Sequence, residues 1–172
     1  MDDIKPLATL KNLQSLNLSA TPLSNVEPLA NLIGLQSLGL SVTQVSDVTP
    51  LASLISLKKL NLCGTQVSNI AGLKTLTGLE TLDLSDTNVS DLTPLSNLTN
   101  LRTLYLNNSQ VRDLNPLADL DSLETLKIND TNVADLSPLG ALKNLKTLER
   151  GMQGDDLAAK ALQEAIPGLV IR

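Results

Sequence analysis

Asp86-Thr87-Asn88-Val89 recurs as Asp130-Thr131-Asn132-Val133, 44 positions further along the chain. An acid, a hydroxyl and an amide in succession are oxygen ligands of the kind a calcium loop gathers. The sixth place from Asp86, however, holds Asp91 where an EF-hand needs glycine, and the twelfth holds Asn97 where it needs glutamate. The single thiol, Cys63, has no histidine anywhere in the chain to activate it. The same lack removes Ser-His triads, histidine general bases and His-based zinc motifs. Cys63 is therefore read as a serine-like replacement. Five N-x-S/T sequons, at Asn17, Asn88, Asn97, Asn107 and Asn129, follow from a pattern rich in Asn, Ser and Thr and call for no glycan. No P-loop, nucleophile elbow, metal cluster or paired catalytic acids is found, so the chain is expected to be no enzyme and to need no cofactor.

Composition narrows the scaffold that carries these residues. Of 172 residues, 42% are hydrophobic, yet there is no Trp or Phe and only one Tyr. A core made of Leu, Val, Ile and Ala must be layered thinly, since no large rings are present to fill a wide interior. The net charge of −5 speaks against a nucleic-acid partner, which needs a basic face. A lone cysteine forms no internal disulfide. No apolar run approaches the ~18 to 20 residues that cross a bilayer, so no membrane insertion is expected. The opening MDDIKPLATL has two acids where a secretory signal carries basic residues, and no apolar stretch follows it.

The organisation lies in a repeat. From Leu13 the chain divides into six 22-residue units without insertion, beginning at Leu13, Leu35, Leu57, Leu79, Leu101 and Leu123. They share the pattern L-x-x-L-x-L-x-x-T-x-V-x-D-L-x-P-L-x-x-L-x-x. The L-x-L segment alternates as a strand buried on one face does. The D-L-x-P-L segment begins with a residue suited to capping and places Pro where a first helical turn tolerates a missing N–H. Each unit thus reads as strand, turn, short 3-10 helix and return, and it must stack on its neighbours to bury its leucines.

With this period and the D-L-x-P-L signature, residues 13 to 144 resemble the internalin-type leucine-rich repeats of bacteria. The fold expected is an α/β repeat solenoid, a right-handed horseshoe with a parallel concave β-sheet and a 3-10 or irregular convex side. Residues 1 to 12 match the back half of a repeat, so the natural protein is expected to continue upstream. Residues 145 to 172 are expected to form a C-terminal cap. Within it lie a seventh strand at Leu145 and Leu148, a helix over 155 to 165 with an apolar stripe at 157, 158, 161, 162 and 165, and a last strand at Leu169-Val170-Ile171. The whole is one domain.

Columns of equivalent residues separate scaffold from function. Thr21, Thr43, Thr65, Thr87, Ser109 and Thr131 form a structural column of inward hydroxyls. Asn25, Asp47, Asn69, Asp91, Asp113 and Asp135 suit acceptance from the following turn. The second column, Gln14, Gln36, Lys58, Glu80, Arg102, Glu124 and Lys146, alternates in sign and predicts a cross-strand ladder of charges. Function is expected on the concave positions that differ between units: the stretch from Lys58 to Glu149 carries charges and the only aromatic, whereas the first two units offer little to grip. Tyr105 flanked by Arg102, Asp83 and Lys127 is the best candidate anchor, because interfaces draw on Tyr and Arg. Lys58, Lys59, Asn107 and Asn129 complete the candidate partner-binding set.

The resemblance implies a non-enzymatic, monomeric module whose concave face binds a protein or peptide. The alternative is a targeting or regulatory domain of a larger bacterial enzyme or effector, such as a ubiquitin ligase or GTPase, with its catalytic part outside this chain. The resemblance is compatible with the bacterial cytoplasm or with secretion as an effector.

Overall fold

A computed structural model describes residues 4–151 and 157–172. Eight short strands, β1 (Ser15–Asn17), β2 (Ser37–Gly39), β3 (Lys59–Asn61), β4 (Thr81–Asp83), β5 (Thr103–Tyr105), β6 (Thr125–Lys127), β7 (Thr147–Glu149) and β8 (Val170–Ile171), form one sheet. They are all parallel and follow chain order. Leu16, Leu38, Leu60, Leu82, Leu104, Leu126 and Leu148 stand in register, each 22 residues from the last, and Ile171 closes the row. Opposite the sheet, each coil returns through a 3-10 turn such as Thr49–Ser53 or Thr93–Leu95. This is the expected open solenoid.

Burial follows the repeat pattern. In the fourth coil, Leu79, Leu82, Leu84, Val89, Leu92, Leu95 and Leu98 are all essentially inaccessible to solvent. Leu13, Leu16 and Leu18 of the first coil are only partly buried. At ~25 cal/mol per Å² of apolar surface, each fully buried leucine gains about 1.5 to 3 kcal/mol relative to exposure, and only stacking supplies that burial.

Hydrogen bonds tie each coil to the next around the turn that follows the strand. Leu62 N–H donates to Asp83 O at 2.8 Å, and Gly64 N–H to Ser85 O at 2.9 Å. Gln66 N–H then donates backwards to Val45 O at 2.9 Å. This path requires the eighth residue of the coil to adopt positive φ: Ala20, Val42, Gly64, Asp86, Asn108 and Asp130 lie between 52° and 68°. Asp86 and Asp130, the acids of the duplicated tetrapeptide, are thus turn residues. Gly64 meets the requirement without strain, whereas Val42 is β-branched and 64% exposed.

Both polar columns are explained by backbone groups. Thr21, Thr43, Thr65, Thr87 and Thr131 each donate Oγ1 to the carbonyl three residues earlier, at 2.6 to 2.7 Å. Ser109 Oγ makes no such bond. A serine hydroxyl lacks the second branch that restricts threonine χ1. Asn25, Asp47, Asn69, Asp91, Asp113 and Asp135 each accept from the N–H two residues ahead, at 2.8 to 2.9 Å. Hydrogen bonds from the Thr49 hydroxyl and N–H hold Asp47 below its ordinary carboxylate value, and Thr93 does the same to Asp91.

The C-terminal segment departs from the expectation in its helical face. The helix α1 spans Leu157–Ala165, so the part of the predicted helix at 155 and 156 lies outside the described residues. Leu157 was expected in the apolar stripe but is 79% exposed, and Ala161 and Ala165 are exposed too. The face that packs is Ala158, Ala159 and Leu162, followed by Ile166. Leu157 is the member that leaves the expected stripe, whereas Ala158, Ala161, Leu162 and Ala165 share the side that looks onto Leu136 and Gly140. Arg150, where other coils place Leu or Ile, is 7% exposed and its N–H donates to Arg172 O across β8.

Two stability outcomes follow. Thr87→Val keeps the shape but strips the donor from Leu84 O, and should cost ~1 to 3 kcal/mol in urea denaturation, whereas Ser109→Ala should cost much less. Val42→Asn relieves a strained turn and should gain about 1 kcal/mol.

Candidate functional site

The sheet aims its inward residues into the core and sets every intervening side chain on the concave surface. The predicted charge ladder is present in two pieces. Lys58 pairs with Glu80 at 3.1 Å. Glu124 is held between Arg102, at 2.8 Å, and Lys146. These two cations, Lys146 first, hold the Glu124 carboxyl below its ordinary value. The expected rung between Glu80 and Arg102 is not an ion pair, since Arg102 is turned towards Glu124.

In the fifth column, made of the fifth residue of each coil (Asn17, Gly39, Asn61, Asp83, Tyr105, Lys127 and Glu149), the register sets Asp83 beside Tyr105 and Tyr105 beside Lys127. The Lys127 ammonium lies 5.4 Å from the centre of the Tyr105 ring and 2.9 Å from Glu149. The Arg102 guanidinium is committed to Glu124, in the second column. The predicted cluster is therefore a row of Asp83, Tyr105 and Lys127 with Arg102 beside it. Asn107 Oδ1 accepts from both the N–H and Nδ2 of Asn129, at 3.0 and 2.9 Å, so this pair is coupled across the sheet. Lys59 stands exposed on β3, the one charge in a third column otherwise made of Ser and Thr.

A concave trough of about 550 Å³ occupies the other half of the face. Its floor is Leu16, Leu38 and Leu60, its sides carry Ser15, Asn17, Ser37 and Gly39, and Lys59, Asp83 and Tyr105 stand towards one end. The sequence reading passed over these first two coils because their side chains are small. Small side chains are what hollow the surface, and the signal was Gly39, the only member of the fifth column without a side chain. A Cβ placed there would lie 2.7 Å from Asn17 Oδ1. A second feature of this column also went unread: Asn17, Asn61 and Asp83 each turn Oδ1 onto the N–H two residues ahead, at 2.9 to 3.0 Å.

Cys63 follows β3 by two residues, with Sγ 3.7 Å from Asp86 Oδ2. Burial, and then the charges of Asp83 and Asp86, push the thiol up to about 11. Such a thiol stays protonated at neutral pH and is a poor nucleophile. Among the described residues, no three Cys, Asp or Glu side chains gather as a metal site, and no helix is long and apolar enough to cross a membrane.

A parallel sheet curved over stacked leucine coils, with its variable side chains gathered on the concave side, defines a leucine-rich-repeat protein. The family model described as Leucine Rich repeats (2 copies) matches residues 77–119. No curated protein sequence matches the chain. Among solved structures, internalin C2 of Listeria monocytogenes is 33% identical with a TM-score of 0.84, the match covering 91% of this chain and 69% of that one. An internalin encoded by inlF in the same organism is 29% identical with a TM-score of 0.92, over 99% of this chain and 50% of that one. The chain thus spans half the length of that relative. The plant peptide hormone receptor RGFR1, solved in complex with RGF2, shares the fold at 19% identity with a TM-score of 0.80, over 99% of this chain and 30% of that one. The chain belongs to the internalin-type leucine-rich-repeat family, a fold that commonly mediates protein–protein interaction.

The thiol environment is directly measurable. Cys63 should react with iodoacetamide at pH 8 about a hundredfold more slowly than an unperturbed cysteine, in proportion to its thiolate fraction. Labelling at the free-cysteine rate would contradict the protonated thiol.

Proposed function

We propose that this chain is a non-enzymatic docking module whose concave sheet binds a protein or peptide partner. The observation that carries the reading is the hollow of about 550 Å³ on a register-locked sheet, with the chain's only aromatic residue, Tyr105, on its wall. Tyr105 supplies apolar area at low entropic cost, and Lys127 holds its ring from one side. Arg102, Lys58, Asn107 and Asn129 flank the row and contribute polar contacts at its margin. The complex of RGFR1 with RGF2 supports the reading, since that receptor has the same fold.

A random 12-residue peptide library displayed on phage and selected on the immobilised chain tests this directly. Recovered peptides should lose at least severalfold in affinity on Tyr105→Ala, and bind negligibly when Arg102 and Lys127 are also replaced by Ala. Thermal melting of Tyr105→Ala should stay near that of the parent, because its ring is not part of the leucine core. Peptides that bind the triple variant as tightly as the parent would overturn the concave-face reading.

A further inference from the structure

Nine charged side chains stand on the second, third and fifth columns of β1 to β7 and the residues that lead into them. Most are neutralised within the sheet: Lys58 by Glu80, Arg102 and Lys146 by Glu124, and Lys127 by Glu149. Two have no opposite charge within ion-pair distance among the described residues, Lys59 and Asp83. They carry opposite signs, lie on the adjacent strands β3 and β4, and both line the trough.

Their failure to pair with each other has a structural cause. Lys59 pairs in register with Thr81, and Asp83 pairs with Asn61, so the two charges are diagonal rather than opposite. The Asp83 carboxylate is also held along its own strand by the Ser85 N–H, at 2.9 Å. One oxygen is thereby committed to the turn, and the other remains available above the trough. Strands ~4.8 Å apart and a rise of ~3.3 Å per residue set the two backbone positions about 8 Å apart. In an extended chain, residues i and i+2 point to the same side about 7 Å apart. The two spacings are compatible.

We propose that Lys59 and Asp83 read charge in the concave site, and that the partner segment is an extended peptide bearing an acidic side chain over Lys59 and, two residues away, a basic one over Asp83. The inference rests on the docking reading above and specifies its ligand. Charge complementarity selects this occupant: a uniformly acidic peptide would set one of its charges against Asp83, and a uniformly basic one would set a charge against Lys59. Between the two charged contacts, the intervening residue faces away from the sheet and is free to vary.

The peptide selection described above provides the probe, extended by two variants that keep the fold. Lys59→Thr and Asp83→Asn install residue types that already occupy the same columns at Thr81 and Asn61, and asparagine at 83 retains the Oδ1 acceptor for Ser85. Peptides selected on the parent should share an acid and a base separated by one residue. Each single variant should weaken them about three- to fivefold, as expected for a partly exposed ion pair. Raising NaCl from 50 to 500 mM should weaken binding to the parent and have much less effect on the double variant. Selection on a chain carrying Lys59→Asp with Asp83→Lys should recover peptides whose acid and base bind in the reverse sense.

Peptides that lose binding on the Tyr105, Arg102 and Lys127 triple variant but keep full affinity for Lys59→Thr with Asp83→Asn would overturn the charge inference and leave the docking reading standing. Peptides unaffected by either set, or a library that yields no binder, would overturn both.

Discussion

A coil of 22 residues cannot bury its own leucines, and the rest of the molecule is arranged around that shortfall. Each coil points seven apolar side chains inward, and neighbours above and below complete their burial. The stacking holds only if equivalent residues superpose, because a slip by one would turn the whole apolar set of a strand to solvent. The cross-coil bonds through Leu62, Gly64 and Gln66 enforce the same superposition on the turn, and they require a left-handed residue at the eighth place. Sequence freedom is thereby withdrawn from the core, while the eighth place keeps its backbone conformation across Ala20, Val42, Gly64, Asp86, Asn108 and Asp130. The second, third and fifth positions keep that freedom.

The same register governs the electrostatics of the concave face. Residues 22 apart become neighbours on adjacent strands, so a sequence that alternates charge with that period gives attractive pairs without further design. Glu124 between Arg102 and Lys146 shows the outcome, a carboxylate whose proton affinity is lowered by cations on both sides. Pairs this exposed add little to stability. Their consequence is to neutralise most of the concave charges within the sheet, with Lys59 and Asp83 the two left without an ion pair among the described residues.

The repeat, the strands, their parallel register and the capping column were all legible in the sequence, because each is a local pattern copied at fixed spacing. Ser109, the lone serine among five threonines, was visible as a substitution, but its idle hydroxyl was not. The helical stripe was legible except at Leu157, which the packing of Ala158, Ala161, Leu162 and Ala165 beside Leu136 and Gly140 leaves exposed. The trough was missed for a different reason. A scan for side chains that could grip finds nothing at Ser15, Ser37 or Gly39, although a row of small residues beside larger ones is what shapes a hollow.

The scarcity of aromatics bears on how Tyr105 should be understood. The inward columns are packed with Leu, Val and Ile at two neighbours' distance, and a ring placed there would displace coils on both sides. An aromatic residue in this scaffold is therefore confined to the outside, and exposure alone does not mark Tyr105 as functional. What distinguishes it is position: it walls the trough, faces the Lys127 ammonium and adjoins the unpaired Asp83. In a solenoid each coil contacts only its neighbours, so changes confined to these outward side chains stay local and do not propagate along the leucine core. That separation lets a single scaffold keep its stability while the outward side chains that form the proposed docking surface change freely.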